Sequence, residues 1–230
     1  MKALDLFCGA GGASTGLLQA GFTCVVGVDI NSQPEYFEQN SFKKADAFHY
    51  LKNESLADFD FIWASPPCQA YSQGTKKARA EGKVYPDLIS KTREALLETG
   101  KPFVIENVVG APLRKDLVLC GEMFGLKIQR HRIFECHKFK PTQIKHEKHK
   151  LKVYNGTSIT IATASTNPGC FGKREKYKKI YGAIWKKNST IEAWQKAMGI
   201  NWIKDKYTLA QCVPPAYANY IGRQFLLKTM

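Results

Sequence analysis

Ala3-Leu4-Asp5-Leu6-Phe7-Cys8-Gly9-Ala10-Gly11-Gly12 is the stretch that sets the fold class. It opens as a short apolar run, turns on three glycines, and hands over to Ala13–Ala20, whose spacing predicts a helix. In a strand, glycine turn and helix of this kind the turn's backbone is open to a ligand, because glycine has no side chain to keep it away. A second apolar run, Cys24–Val28, stops at Asp29, seventeen residues after Gly12. A carboxylate there is placed to accept hydrogen bonds from ribose hydroxyls. Ser14 stands where the last glycine of a GxGxxG dinucleotide pattern would be. Together these features point to a nucleoside ligand and away from a nicotinamide dinucleotide.

Working outward, the same alternation repeats. Phe59–Ala64 is a third apolar run, stopped by Pro66-Pro67, and Pro34–Phe42 before it reads as a helix. Asp46 reads as the N-cap of a helix-like segment, 47–56. Leu88, Leu96 and Leu97 predict a helix over Asp87–Thr99, ended by Gly100-Lys101-Pro102 before the strand Phe103–Ile105. Val118-Leu119 and Ile133-Phe134 continue the series, and a C-terminal helix at about 215–227 is placed to cover the flank of the first strand. Strands alternating with helices predict an α/β fold, a doubly wound, mostly parallel sheet covered on both faces. Ligands of such sheets sit at the carboxyl ends of the strands.

Cys68 follows the third strand within Ala64-Ser65-Pro66-Pro67-Cys68-Gln69, a turn whose φ angles are partly fixed by two prolines. A free thiol with a pKa of ~8.5 is mostly un-ionised at pH 7. A nucleophilic role therefore needs positive charge close by, and Arg130 and Arg132 are the candidates. The following strand ends in Glu106-Asn107-Val108, which brings a carboxyl to the same sheet edge. A thiolate beside a carboxylic acid suits a pyrimidine. Attack at carbon 6 of cytosine pushes electron density toward N3, an acid there shares a proton, and carbon 5 becomes nucleophilic enough to take a methyl group. Taken singly, a free cysteine is more often a small buried hydrophobe and a strand-end glutamate a hydrogen-bond acceptor. Their joint occurrence downstream of a nucleoside turn favours the chemical reading.

The chain's charge agrees. Its 34 Lys and Arg against 20 Asp and Glu give a formal net charge of +14, which favours a polyanionic partner such as nucleic acid. From His137 to Ser189, thirteen Lys and Arg face only Glu147 and Glu175, so this stretch carries +11 of the total; within it, Thr157–Thr166 reads as a strand or a polar loop. The seven cysteines are scattered with no CxxC pair, which fits a reducing compartment better than a disulfide framework. Cys120, Cys136, His146 and His149 lack the paired spacing of common zinc modules, so no metal is expected. No run approaches the ~20 apolar residues of a membrane span, so the expectation is a soluble, unexported, cytoplasmic monomer.

Taken in order, Asp5–Gly12, Asp29-Ile30, Asp46, Pro67-Cys68-Gln69, Glu106-Asn107-Val108 and Arg130-x-Arg132 resemble the sequence blocks of the cytosine-5 DNA methyltransferase family, over roughly 1–136 and again near 190–226. The resemblance implies a Rossmann-like, S-adenosylmethionine-dependent fold and methyl transfer to carbon 5 of cytosine in duplex DNA, with S-adenosylhomocysteine as co-product. It divides the chain into a catalytic part, 1–136, a small basic target-recognition insertion, 137–189, and a C-terminal part, 190–230, that returns to the catalytic domain. It implies that Phe7 and Ile30 pack on adenine, that Gly9, Ala10, Gly11, Gly12 and Pro67 belong to the cofactor site, that Asp29 holds the ribose and that Asp46 holds the adenine edge. Cys68 would form the covalent adduct, Glu106 contact N3 and Arg132 the cytosine O2, with Arg130 supporting the site. The loop Ala70–Val84 would close over a base that must leave the duplex stack before carbon 6 can be reached.

Two departures stand out. Ile128 occupies the first position of the arginine block where the family has glutamine, and Ala210-Gln211-Cys212-Val213-Pro214-Pro215 stands in for a late family block. Contacts of the cofactor's methionine end near Gln211 are therefore left open. Ala197–Trp202 and Val213-Pro214-Pro215-Ala216-Tyr217 are similar to compact, phage- or prophage-borne members, for which restriction-modification is an implied setting. The same resemblance admits a tRNA-directed cytosine-5 methyltransferase and a catalytically silent DNA-binding homologue. The presence of both Cys68 and Glu106 argues against the silent form.

Overall fold

The computed structural model describes residues 1–149, 159 and 190–229. The apolar runs become β1 (Lys2–Leu6), β2 (Cys24–Asp29), β3 (Phe42–Lys44), β4 (Phe61–Ala64), β5 (Phe103–Asn107), β6 (Leu117–Leu119) and β7 (Arg132–His137). Among the described residues the helices are α1 (Gly12–Ala20), α2 (Ala47–Asn53), α3 (Lys76–Ala80), α4 (Ile89–Glu98), α5 (Ile191–Met198), α6 (Lys206–Gln211) and α7 (Pro215–Thr229). The strands form one sheet in the order β3-β2-β1-β4-β5-β7-β6. β1 to β5 pair in parallel, and β7 runs antiparallel to both β5 and β6. This is the Rossmann-like, mostly parallel arrangement expected from the sequence.

Burial follows from the layering. All four residues of β4 are buried, as a central parallel strand covered on both faces requires. Along β1, Ala3 joins the core on one face with Leu17, Trp63 and Phe225, while Leu4 joins the other with Ile62, Leu96 and Ile105. This is the two-residue period of a strand. α7 supplies Tyr217, Ile221 and Phe225 to the first core and lies against α1, so it covers the flank of β1 as expected. A third cluster joins Trp194, Met198, Ile203 and Leu209 to Ile128, which ties the C-terminal segment to the loop before β7.

Pro34–Phe42 is not a helix. It holds only a 3-10 turn at Gln39–Ser41, and Phe42 opens β3. The Tyr36 ring lies against Gly27, and Tyr36 and Phe37 both lie over Gly11, so the chain here is a lid of aromatic anchors. β3 is a three-residue edge strand, too short and polar to show alternation. In the basic stretch, Ile159 makes an isolated parallel bridge with Ile128. The rest of Thr157–Thr166, and the remainder of the basic stretch from 150 to 189, expected above to be a recognition insertion, lie outside the described residues. No helix among the described residues is long and apolar enough to cross a membrane.

Candidate active site

The reversal of β7 matters to the site. Since β7 is antiparallel, its first residue, Arg132, sits at the edge where β5 ends, with Asn107 paired to Ile133. The carboxyl ends of β1, β2, β4 and β5 and the start of β7 therefore meet around one hollow of about 1000 Å³. Phe7, Gly9, Ala10, Asp29, Ile30, Pro67, Cys68, Glu106, Arg130 and Arg132 all line it.

At one end is the glycine turn. Phe7 and Gly9 take positive φ, 57° and 51°, and a Cβ on Gly9 would meet nothing within 4 Å. The turn thus presents bare backbone to open space. Asp29 is fixed at its edge: Oδ2 accepts from Gly9 N at 3.1 Å and Oδ1 from Asn31 N at 2.9 Å. Ile30 is 61% exposed, a large apolar side chain with no covering. Trp202 Nε1 donates to Ala10 O at 3.0 Å and anchors the turn from the C-terminal segment, a contact the sequence reading did not foresee. Gly11 and Gly12 shape the turn without lining the hollow. Asp46 does not line it either: it is exposed, and its Oδ1 caps α2 by accepting from His49 N at 2.9 Å.

At the other end the Pro-Pro turn is fastened to the neighbouring strand. Asn107 Nδ2 donates to Pro66 O at 2.9 Å, a buried bond that couples the cysteine turn to the end of β5. The Cys68 carbonyl accepts from Tyr71 N and Ser72 N, which starts the following loop as a tight turn. Arg79 then clamps that loop by donating to Gln69 O and Ser72 O at 2.9 and 2.7 Å. The loop's Asn107 and Arg79 restraints were not foreseen, although Asn107 sits inside the Glu106-Asn107-Val108 tripeptide.

Glu106 is buried, and Arg132 Nε lies 2.8 Å from its Oε1, although no hydrogen bond of good geometry reaches that oxygen. Burial raises the Glu106 carboxyl above the usual carboxylate range, against the pull of Arg132 and Arg130. Burial likewise raises the Cys68 thiol, with Arg132 and Arg130 lowering it and Glu106 opposing them. The two arginines are thus the positive charges that a thiolate there needs. Arg130 is itself held by the chain: its Nη2 donates to Ala210 O and Cys212 O at 2.6 and 3.1 Å, and Tyr217 OH donates to Arg130 O. Burial lowers its guanidinium to about 10, and its Nε is buried without a partner. Such an arrangement can add a thiol to an electrophilic carbon while a neighbouring acid handles a proton and guanidinium groups hold a carbonyl oxygen.

A family model described as C-5 cytosine-specific DNA methylase matches residues 1–118. The chain is 34% identical over 136 residues to the Type II methyltransferase M.HgiDI of Herpetosiphon aurantiacus, covering 54% of this chain and 42% of that protein. It is 30% identical over 145 residues to the Type II methyltransferase M.AgeI of Thalassovita gelatinovora, covering 54% and 33%. The chain thus spans less than half the length of these relatives. Among solved structures, the S. pombe Dnmt2 methyltransferase superposes with a TM-score of 0.63 at 16% identity, covering 100% of this chain and 99% of that one, which is a likeness of fold.

Proposed function

We infer the activity from one premise: the chain belongs to the C-5 cytosine-specific DNA methylase family. The function that best fits this membership is transfer of a methyl group from S-adenosylmethionine to carbon 5 of cytosine in duplex DNA. The observation that carries it is that Cys68 and Glu106 line the same hollow as the glycine turn and Asp29.

The nucleoside end fits the cofactor. The open space over Gly9 admits a ligand against the backbone, Asp29 can accept from ribose hydroxyls, and Phe7 and Ile30 offer apolar surface to a purine. When bound, S-adenosylmethionine supplies an electrophilic methyl group on its sulfonium. Everything else belongs to the chain. A cytosine swung out of the duplex presents carbon 6, to which Cys68 Sγ adds as thiolate. The displaced electron pair runs through the ring to N3, where Glu106, kept protonated more readily by its burial, donates a hydrogen bond or proton. Arg132 stabilises charge at the exocyclic oxygen, with Arg130, held by Ala210 O and Cys212 O, supporting the site. Carbon 5, made nucleophilic in this way, would take the methyl group that bound S-adenosylmethionine supplies. Loss of the carbon 5 proton to water, expulsion of the Cys68 thiolate and return of any N3 proton to Glu106 then restore the ring.

Phosphate contacts are assigned to the basic insertion, where lysines position the duplex without reading its sequence. Labelled methyl transfer to duplex DNA and to tRNA, with wild type and Cys68→Ala, tests the proposal. Transfer to DNA by wild type, lost in Cys68→Ala, together with a covalent complex on a duplex containing 5-fluorocytosine, is the expected result. Turnover by Cys68→Ala would overturn the mechanism, and transfer to tRNA alone would overturn the substrate.

A further inference from the structure

Four metal-ligating side chains converge beside the hollow. Cys120, at the end of β6, His131, just before β7, and His146 and His149, in the segment after β7, bring one ligand atom each within 4.8 Å of all the others. Sequence spacing alone discounts zinc for Cys120, Cys136, His146 and His149, because they lack the paired cysteines of common zinc modules. Cys136 instead lies within β7 in the hydrophobic core, and His131 takes its place.

We propose that Cys120 Sγ and one ring nitrogen each of His131, His146 and His149 form a structural zinc site that clasps the arginine strand to the start of the basic insertion. Three observations carry the assignment. First, His131 Nε2 and His146 Nε2 are 3.2 Å apart. Tetrahedral zinc with bonds of about 2.0–2.1 Å puts neighbouring nitrogens about 3.3 Å apart, so this edge is already in place and the other pairs, none wider than 4.8 Å, close by at most about 1.5 Å. Second, His149 Nδ1 lies 3.0 Å from Glu122 Oε1. A ring nitrogen donating to a carboxylate, which leaves Nε2 to face the metal, is how metal-bound histidines are oriented. Gln129 Nε2 donates to the same oxygen at 2.8 Å and steadies it. Third, Cys120 is fully buried at the head of a 3-10 turn, Gly121–Phe124, and its side chain accepts from the backbone of that turn, which fixes where the sulfur sits relative to the three rings.

The donor set selects the metal. One thiolate and three imidazoles are the borderline-soft ligands zinc accepts, and four protein ligands leave no position open, so the site is structural and not catalytic. His131 lies between Arg130 and Arg132, so a metal there fixes the peptide that carries both guanidinium groups.

The test uses the full chain, purified and titrated with zinc sulfate, with metal content measured after gel filtration. Wild type should retain one zinc per chain and, with cobalt in its place, show thiolate-to-cobalt charge-transfer absorption. Cys120→Ser should lose that absorption. His146→Ala, an exposed position that leaves the core intact, should lose stoichiometric zinc, and Glu122→Gln should bind about 10–100-fold more weakly. Wild type without retained zinc, or equal retention by wild type, Cys120→Ser and His146→Ala as from adventitious cysteine binding, overturns the proposal. Methyl transfer is not read in any of these measurements, so they succeed or fail independently of the enzymatic function.

Discussion

Asp5 shows what a single residue in the decisive stretch does besides continuing a strand. It is fully buried; Ser14 Oγ donates to its Oδ2 at 2.5 Å, Tyr36 OH donates to Ser14 Oγ at 3.0 Å, and Oδ1 has no partner. Burial is the main cause that lifts its carboxyl to about 7, from an ordinary value of 3.8. In the unfolded chain the group ionises near ~3.9, so between that pH and about 7 the folded state holds a proton that the unfolded state lacks. Its contribution to stability is therefore fully present at low pH and lost as pH rises through 7. Asp5→Asn removes this dependence. Urea unfolding from pH 5 to 8 should show wild type losing stability relative to Asp5→Asn as pH rises; a constant difference would rule out a buried titrating carboxyl. At this scale the sequence was partly legible: Cys68, Glu106, Arg130 and Arg132 were found from residue type and order, and they do line one hollow. Tyr36 over Ser14 and Trp202 on Ala10 were not, because such bonds join residues far apart in the chain and leave no periodic trace.

The pairing of α1 with α7 is the contact between elements that most constrains the fold. A Cβ on Gly16 would run into Pro215 O and the Ala218 side chain, and one on Gly222 would crowd Ala20 and Leu17. Small residues facing each other bring the two backbones together, and that closeness sets where the glycine turn sits above β1. Gly16→Val gains a few tenths of a kcal/mol in helix propensity but forces the helices apart, so a net loss of about 1–3 kcal/mol is expected in urea unfolding. Unchanged stability would show that α7 is not tightly docked. Helices and strands with clear periodicity, α1, α4, β1, β2, β4 and β5, could be read from the sequence. β3 could not, since three residues carry no pattern, and the direction of β7 could not, since parallel and antiparallel strands differ in their hydrogen bonding partners and not in composition. That unread reversal is what brings Arg132 to Glu106.

For the molecule as a whole, the sequence reads as an α/β part and a strongly charged stretch, and that charge is the feature that bears most directly on the proposed binding of duplex DNA. With +11 of the +14 net charge between His137 and Ser189, electrostatic attraction to a polyanion is concentrated in one stretch of chain. Lys178 and Lys179 lie in it, outside the described residues, so their role is argued from charge alone. Each lysine that neutralises a phosphate releases condensed counterions, so the logarithm of the binding constant falls with the logarithm of salt with a slope of about −0.9 per contact in duplex DNA. Lys178→Ala with Lys179→Ala should therefore weaken binding to every duplex sequence alike and make that slope shallower by about 1.8. The measurement is fluorescence anisotropy of labelled duplexes of differing sequence across a salt series. An unchanged slope, or altered sequence preference at unchanged affinity, would mean that these lysines read bases or face solvent and that the duplex is held elsewhere.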